Sequence, residues 1–180
     1  MISGMDRTVE QLIDEILVMD CQSGRVKAME MLVSRWQKRL WQYAYHLTGS
    51  ADAAWDITQG SWLGIIKGIG KLHDPARFRP WAYKIITNKA NDWIKKKKDT
   101  RYISIEETNV PQHEEKKDIG VKELVQKMDF RKKVVLSLYY FEQLSVSEIS
   151  VALRIPKGTV KSRLAGAREE LKKLYQKHFE

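Results

Sequence analysis

The stretch from Ser145 to Arg168 constrains the fold more than any other part of the chain. Ser145 and Glu148 have the spacing of a capping box, in which the serine side chain accepts from the Glu148 amide and the glutamate reaches back. Pro156 suits the first position of a second helix, because the N–H that proline lacks would be unpaired there. Two short helices joined by a tight turn are typical of a helix-turn-helix.

The second of these helices carries hydroxyl and basic side chains on its outer side. Val160, Leu164 and Leu171 form its inward row at helical spacing. Arg and Lys can pair with guanine or hold phosphates, and Ser and Thr can reach either. The pattern predicts a helix in the DNA major groove; the alternative is a surface helix with solvated charges. The residues predicted to contact DNA are Lys157, Thr159, Lys161, Ser162, Arg163 and Arg168.

The charge balance of the chain favours a polyanionic partner. The 180 residues include 32 Lys and Arg against 23 Asp and Glu, a formal net charge of +9, which suits nucleic acid or an anionic membrane. The single cysteine, Cys21, cannot form an internal disulfide and builds no recognisable metal site with four scattered histidines. No apolar run reaches the roughly 18 residues of a membrane span, and the N-terminus is unlike a secretory signal. We predict a cytoplasmic protein without cofactor, small-molecule substrate or membrane insertion.

Helical periodicity extends over almost the whole chain, and there is no strong strand signal. The first predicted helix ends near Ser23 and the second near Gly49. Ser50 can cap a third helix, and Pro80 suits the first position of a fourth. Three glycines in the third helix cost roughly 1 kcal/mol each relative to alanine, but they also permit close packing, and the sequence leaves both roles open. They are Gly60, Gly64 and Gly68.

The fold class predicted from these patterns is all-α, with two small helical domains. Periodicity fades from about residue 99 to residue 120, where Glu and Lys dominate and Pro111 interrupts the chain. This composition is typical of a solvated, flexible linker. The layout is therefore a four-helix domain over residues 1–98, a linker over 99–120 and a helix-turn-helix domain over 121–180.

An acidic and amide-bearing face is predicted on the third helix. Asp52, Asp56 and Gln59 are four and three residues apart, so they share one side of that helix. Such a face on a strongly basic protein is unsuited to DNA and fits a basic or polar protein partner. The alternative is that these residues serve only for helix capping and solvation.

The fourth helix has the opposite chemistry. Lys84, Asn88 and Asn91 lie roughly on one face, and an asparagine has donors and acceptors for an unpaired base edge. Capture of a base requires a pocket, a stacking surface and phosphate anchors. For Phe78, base stacking and core packing are equally open. The loop before the helix supplies charge and an aromatic ring from Arg77, Phe78 and Arg79.

The helix-turn-helix resembles that of a known family. Gly158-Thr-Val-Lys-Ser-Arg-Leu164, followed by Ala167-Arg168, is similar to the recognition helix of bacterial sigma factors of the extracytoplasmic-function (ECF) type. Glu148-Ile149 is similar to that family's Glu-Ile-Ala element, with Ser150 in place of Ala. Response regulators carry related helices, so this motif alone does not separate the two families.

The N-terminal half carries a second part of the same family pattern, which a response regulator would not have. Ala54-x-Asp56-x-x-Gln59-x-x-Trp62 resembles the Ala-Glu-Asp-x-x-Gln-x-x-Phe signature of the second conserved sigma region. Phe78-x-x-Trp81-x-Tyr83-Lys84-Ile85, with Asn88, resembles a further motif of that region. The resemblance covers the chain from about Ile16 to Leu174. Trp55 and Gln143 depart from it, standing where a Glu and a Gly are usual.

The resemblance implies a transcription initiation factor that recognises promoters and assists their melting. It implies binding to the clamp coiled coil of core RNA polymerase by Asp52, Asp56, Gln59 and Trp62. It implies that residues 157–168 bind the minus-thirty-five promoter element, and that an anti-sigma protein is a further candidate partner. The residues that it places on the minus-ten element are Arg77, Phe78, Arg79, Lys84, Asn88 and Asn91.

Two other classes of protein are kept as alternatives. A stand-alone helix-turn-helix regulator would use only the C-terminal module and would leave the face around Asp56 and Gln59 unexplained. An enzyme is the second alternative, although the sequence has no recognisable nucleophile–base pair, phosphate loop or metal cluster. We therefore predict that the chain is not an enzyme.

Overall fold

The computed structural model describes residues 8–103 and 120–179, which form helices and connecting turns without a strand. A 3-10 turn, Pro75–Arg77, precedes α4, and a π-helical turn, Ser137–Phe141, continues α6. The all-α prediction is confirmed. In the described part of the chain, no helix combines the length and apolar character needed to cross a bilayer. The α-helices are α1 Val9–Gln22, α2 Val26–Thr48, α3 Ala51–Gly68, α4 Phe78–Ile103, α5 Val121–Gln126, α6 Phe130–Leu136, α7 Val146–Leu153 and α8 Lys157–Phe179.

Capping residues set several helix ends as predicted. Gly49 has φ 68° and ends α2 in the left-handed conformation that glycine tolerates. The Ser50 hydroxyl accepts from the amide of Ala53 at the start of α3. In the capping box of α7, the Ser145 hydroxyl accepts from the Glu148 amide at 3.2 Å, and the Glu148 carboxylate accepts from the Ser145 amide at 2.8 Å.

Other boundaries differ from the sequence prediction. The fourth helix begins at Phe78 rather than Pro80, because the 3-10 turn before it already directs the chain into helical geometry. It runs to Ile103, past the predicted start of the linker at residue 99. The eighth helix begins at Lys157, immediately after Pro156. The rest of the predicted linker, residues 104–119, lies outside the described residues.

Aromatic side chains form the centre of the N-terminal core. The Trp36 ring packs edge-on against Phe78 at 5.3 Å and Tyr83 at 5.9 Å, measured between ring centroids. Tyr43 packs edge-on against Tyr83, and its hydroxyl is hydrogen-bonded to that of Thr87 at 2.7 Å. These contacts join α2 to α4, because each large buried ring contributes both area and a preferred geometry.

The three glycines of α3 resolve the question that the sequence left open: they allow α4 to approach closely. They are four residues apart, so they form a stripe along one side of α3. A Cβ built at Gly68 would lie 2.9 Å from Trp81, and one at Gly64 would lie 3.4 Å from Ile85. One at Gly60 would lie 3.3 Å from the Lys89 amino group. The stripe therefore faces α4, and close packing offsets the lower helix propensity of glycine.

The helices on the two sides of residues 104–119 also pack against each other. Helix α4 contacts α7, and α2 contacts α5, α6 and the π-helical turn. Buried residues of the C-terminal helices, including Val135, Leu144 and Ile149, join the same hydrophobic cluster as those of α1 to α4. The C-terminal helices consequently cover part of the surface that the sequence assigns to nucleic acid.

Candidate nucleic-acid interface

The acidic face of α3 is accessible. Asp52, Asp56 and Gln59 are all exposed, and their spacing places them on one side of the helix. The residues of α3 that enter the core are on the opposite side, and they include Ala54, Ile57 and Ile65. This part of the sequence therefore yields a polar ridge that is free to meet another molecule.

Trp62 does not belong to this ridge, which corrects the prediction that it binds a protein partner directly. Its side chain is only 6% exposed and belongs to the hydrophobic core. Trp62 follows Asp56 by six residues, so at about 100° per residue the two side chains point roughly 120° apart around the helix. The spacing of the motif places Trp62 on the side of α3 that packs against the other helices.

Phe78 is likewise a core residue, which corrects its assignment to a base contact. Its ring is 1% exposed and packs edge-on against Trp36. A base cannot stack on a ring whose faces and edges are covered by protein. The first residue of α4 therefore fixes that helix to α2 rather than presenting a surface for stacking.

The cations before and along α4 have three different environments. Arg77 is exposed and lies 3.4 Å from the Asp74 carboxylate. Arg79 is partly buried and donates to the backbone carbonyl of Glu142. Burial, together with the charge of Arg154, lowers the pKa of Lys84. Of these three cations, Arg77 is the most exposed and Arg79 is the one held by the C-terminal helices.

The two asparagines of α4 line a groove between the N-terminal and C-terminal helices. Asn88 is exposed and Asn91 is half-buried. The groove has a volume of about 400 Å³, and Arg131 and Arg163 line its opposite side. Lys95 also lines it. Residues predicted to bind two different promoter elements, Asn91 and Arg163, therefore share one basic groove.

The start of α8 presents most of its predicted DNA contacts outward. Lys157, Lys161 and Ser162 are exposed, and the Ser162 hydroxyl donates to the carbonyl of Thr159 at 3.0 Å. Thr159 is half-buried. Val160 and Leu164 of the same helix are buried, so the inward row was correctly predicted.

Arg168, further along α8, is exposed but already has a partner. Its Nε donates to the Tyr140 hydroxyl at 2.7 Å, and the guanidinium carbon lies 5.7 Å from the centroid of that ring. A guanidinium has five N–H donors, so Arg168 keeps donors that a phosphate can accept while it remains on Tyr140. The contact orients the side chain that the sequence assigns to DNA.

Glu142 joins the two groups of helices by polar contacts that the sequence patterns did not indicate. Its carboxylate accepts a hydrogen bond from the Tyr83 hydroxyl, and its backbone carbonyl accepts one from Arg79. Burial raises the pKa of Glu142, an effect opposed by the Tyr83 hydrogen bond and by the charges of Arg39 and Arg79. No local signal could have revealed this contact, because Tyr83 and Glu142 are 59 residues apart.

A second contact, also missed, covers the end of α2. The side-chain amide nitrogen of Gln126 donates to the backbone carbonyl of His46 at 2.7 Å and to that of Tyr45 at 3.3 Å. The buried Lys133 amino group lies 3.4 Å from the carbonyl of Leu47 and donates to the Gln126 carbonyl at 2.8 Å. Carbonyls in the last turn of a helix lack partners within that helix and attract positive charge. The C-terminal helices satisfy them here.

Together these features are those of a helical DNA-binding protein that also has a separate, exposed acidic face. The helix-turn-helix has exposed cations at the start of its second helix, and α4 carries cations and amides. The chain belongs to the sigma-70 family, as a sigma factor of the ECF type: residues 32–100 match the model of Sigma-70 region 2, and residues 120–171 match that of Sigma-70 region 4. It is accordingly a transcription initiation factor that directs polymerase to promoters, and it is not an enzyme.

Similar proteins agree with this assignment. The chain is 29% identical over 172 residues to the ECF RNA polymerase sigma factor SigW of Bacillus subtilis, with 84% of this chain and 91% of the relative covered. It is 26% identical over 180 residues to the ECF RNA polymerase sigma-E factor of Escherichia coli K12, with 90% and 94% covered. The sigma-factor resemblance predicted from the motifs is confirmed.

Solved structures share the fold. CnrH in complex with the cytosolic domain of CnrY superposes with a TM-score of 0.70 at 22% identity, covering 91% of this chain and 97% of that chain. The sigma factor RpoE of Bartonella quintana, in complex with the anti-sigma factor NepR, gives a TM-score of 0.69 at 19% identity, with 84% and 98% covered. Both solved structures thus match the helical arrangement over most of their length.

Proposed function

We propose that three surfaces of this chain divide the work of promoter recognition. The exposed α3 face binds core RNA polymerase, α4 and the turn before it read the minus-ten element, and the start of α8 binds the minus-thirty-five element. The observation that carries the proposal is the separation of charge: carboxylates lie on the exposed side of α3, and cations lie along α4 and α8. A carboxylate ridge repels DNA phosphates and attracts a basic protein surface.

The minus-ten surface combines phosphate anchors with amides. Arg77, Arg79 and Lys84 supply cations, and Asn88 and Asn91 supply groups that can pair with an unstacked base. Because Phe78 is buried, its ring is not available to stack on a captured base. We assign base discrimination to the two asparagines and phosphate anchoring to the three cations.

The minus-thirty-five surface is assigned to the exposed start of α8. Lys157 and Lys161 suit phosphates or guanine, and Thr159 and Ser162 can reach either kind of group. A good base contact gives roughly 1–3 kcal/mol of discrimination. Modest affinity at each DNA site is sufficient, since two sites joined through one polymerase gain from effective concentration.

Simultaneous binding of both elements requires the two groups of helices to separate. The elements lie about 25 base pairs apart, roughly 85 Å at 3.4 Å per base pair. A compact chain of this length has a radius of gyration of only about 16 Å. Asn91 and Arg163 line one groove, and Arg79 is held by the Glu142 carbonyl, so the packed arrangement is a resting form that polymerase opens.

The proposed setting is the cytoplasm, where polymerase and promoters are found. An anti-sigma protein is a further partner that we propose, because two relatives with this fold were solved in complex with CnrY and with the anti-sigma factor NepR. Such a partner would keep promoters unbound by holding α4 and the C-terminal helices packed against each other.

Run-off transcription with core polymerase and a promoter library tests the proposed function. Wild-type protein is expected to direct initiation from a subset of promoters, and the double variant Asp56→Arg, Gln59→Ala is expected to lose polymerase binding. A stand-alone regulator would bind its DNA equally well with or without that double substitution. Tight, sequence-specific binding of promoter DNA by the free chain, unaffected by the double substitution, would contradict the proposal.

A further inference from the structure

An aromatic cluster borders the acidic face of α3. Trp41 stacks on Tyr45 within α2 at 5.5 Å between centroids, with 11° between the ring planes. The Trp55 ring of α3 lies 5.8 Å from Trp41. Two of the three rings remain open to solvent, with Tyr45 40% and Trp55 47% exposed. Single exposed apolar side chains are ordinary, but neighbouring exposed apolar groups that form a patch often mark a contact surface.

Trp55 lies within the ridge formed by the predicted polymerase contacts. It follows Asp52 by three residues, adjoins Asp56 and precedes Gln59 by four, so the four side chains occupy one side of α3. The same side continues into the exposed apolar residues Leu63 and Ile66. The accessible surface of α3 is therefore a stripe with carboxylates at its start, an indole among them and aliphatic groups at its end.

We propose that Trp55 is the main determinant of affinity on this face, and that it binds a surface of core polymerase bearing Arg or Lys side chains. The inference rests on the proposed function, because it takes the α3 face as the polymerase-binding surface. The carboxylates of Asp52 and Asp56 attract a basic surface, and an indole is the side chain that binds a guanidinium or ammonium best through its face. Charge complementarity and the aromatic surface thus select the same partner.

The aromatic cluster makes Trp55 well suited to this role. Contact with Trp41 restricts the rotation of the Trp55 ring before a partner arrives, so less conformational entropy is lost on binding. About half of its area is still free to be buried. Tryptophan surrounded by polar groups that exclude water is the typical composition of a binding hot spot, and truncating a hot spot costs at least about tenfold in affinity.

A salt series on four proteins tests the inference. The affinity of the full-length chain for core polymerase is measured at about 0.1 M and about 0.5 M salt for wild type, Trp55→Ala, Asp56→Ala and Leu12→Ala. Leu12, on α1, is 50% exposed and serves as the matched control. Trp55→Ala is expected to lose at least about tenfold at both salt concentrations. Asp56→Ala is expected to lose affinity mainly at low salt, and Leu12→Ala to match wild type.

The outcomes separate the inference from the proposed function. If Asp56→Ala weakens binding and Trp55→Ala does not, the role of Trp55 is overturned while the docking face stands. If neither substitution has an effect, the docking face itself is wrong. Trp55→Phe, which keeps a ring beside Trp41, is expected to retain intermediate affinity and guards against a loss caused by misfolding. Concentration-dependent self-association that disappears in Trp55→Ala, without a change in polymerase binding, would assign the ring to a second copy of the chain and overturn the inference.

Discussion

Arg79 donates a hydrogen bond to the backbone carbonyl of Glu142, so a cation assigned to promoter phosphate is held by the opposite half of the chain. The Glu142 carboxylate is itself held by the Tyr83 hydroxyl, one turn further along α4. Arg79 is also partly buried, and its Nε is enclosed by protein. Packing of the two groups of helices therefore limits the access of DNA to this side chain.

Removal of the Glu142 carboxylate is expected to favour the open form. In Glu142→Ala the Tyr83 hydroxyl loses its acceptor, and a buried unpaired hydroxyl costs about 1–3 kcal/mol. Separation of the helices returns that hydroxyl to water. Small-angle scattering should show a larger radius of gyration, and binding of single-stranded minus-ten DNA should increase about five-fold or more, as expected for that cost. Glu142→Gln keeps an acceptor and should remain compact; equal compactness of all three proteins would contradict this role.

The packed arrangement should also depend on pH through Glu142. Burial raises the pKa of this carboxyl above its ordinary value of 4.5, so the packed form binds its proton more tightly than the open or unfolded form. The stability that this group contributes is complete below pH 4.5 and is lost as pH rises through the raised pKa. We therefore expect the difference in melting temperature between wild type and Glu142→Gln, taken as wild type minus variant, to decrease as the pH rises from 4.5 through the raised pKa of Glu142. A difference that is constant with pH would show that Glu142 titrates normally.

Local signals in the sequence sufficed for the helices and for the exposed ridge. Ser50 and Ser145 mark helix starts by capping chemistry, and the spacing of Asp56 and Gln59 fixes their common face without knowledge of the rest of the fold. The contact of Arg79 with Glu142 joins residues 63 apart, and no periodicity encodes such a pair. Tertiary packing also decided between core and surface for Phe78, because an aromatic residue at a helix start suits both.

Close packing of α3 on α4 makes the alanine substitution of Gly68 unfavourable. The added methyl would lie 2.9 Å from the Trp81 ring, and overpacking of this kind costs about 1–3 kcal/mol. The gain in helix propensity, about 1 kcal/mol, offsets only part of that cost. Thermal or denaturant unfolding should show a less stable variant. Gly158→Ala, where the new methyl meets nothing within 4 Å, should be neutral or stabilising.

Gln143 has φ 55°, a left-handed conformation that costs a residue with a side chain about 1–2 kcal/mol. It stands where the sequence resemblance leads one to expect glycine. Gln143→Gly should therefore stabilise the protein by up to about 1 kcal/mol, since the side chain is exposed and relief of strain exceeds the greater backbone entropy of glycine. Gln42→Gly, at an exposed position inside α2, should destabilise by a similar amount. Denaturant midpoints that move in the same direction for both variants would contradict the assignment of strain.

Lys161 provides the test of the minus-thirty-five surface. It is exposed near the start of α8, and a lysine that neutralises one phosphate releases about one counterion. In the assembled holoenzyme, Lys161→Ala should weaken binding to all promoters to a similar extent and should lower the slope of log affinity against log salt by about 1. Lys177→Ala, also exposed but near the other end of α8, should leave both quantities unchanged. If the two variants have the same salt slope as wild type, the phosphate contact does not exist, and the DNA surface has to be sought on another side of the helix.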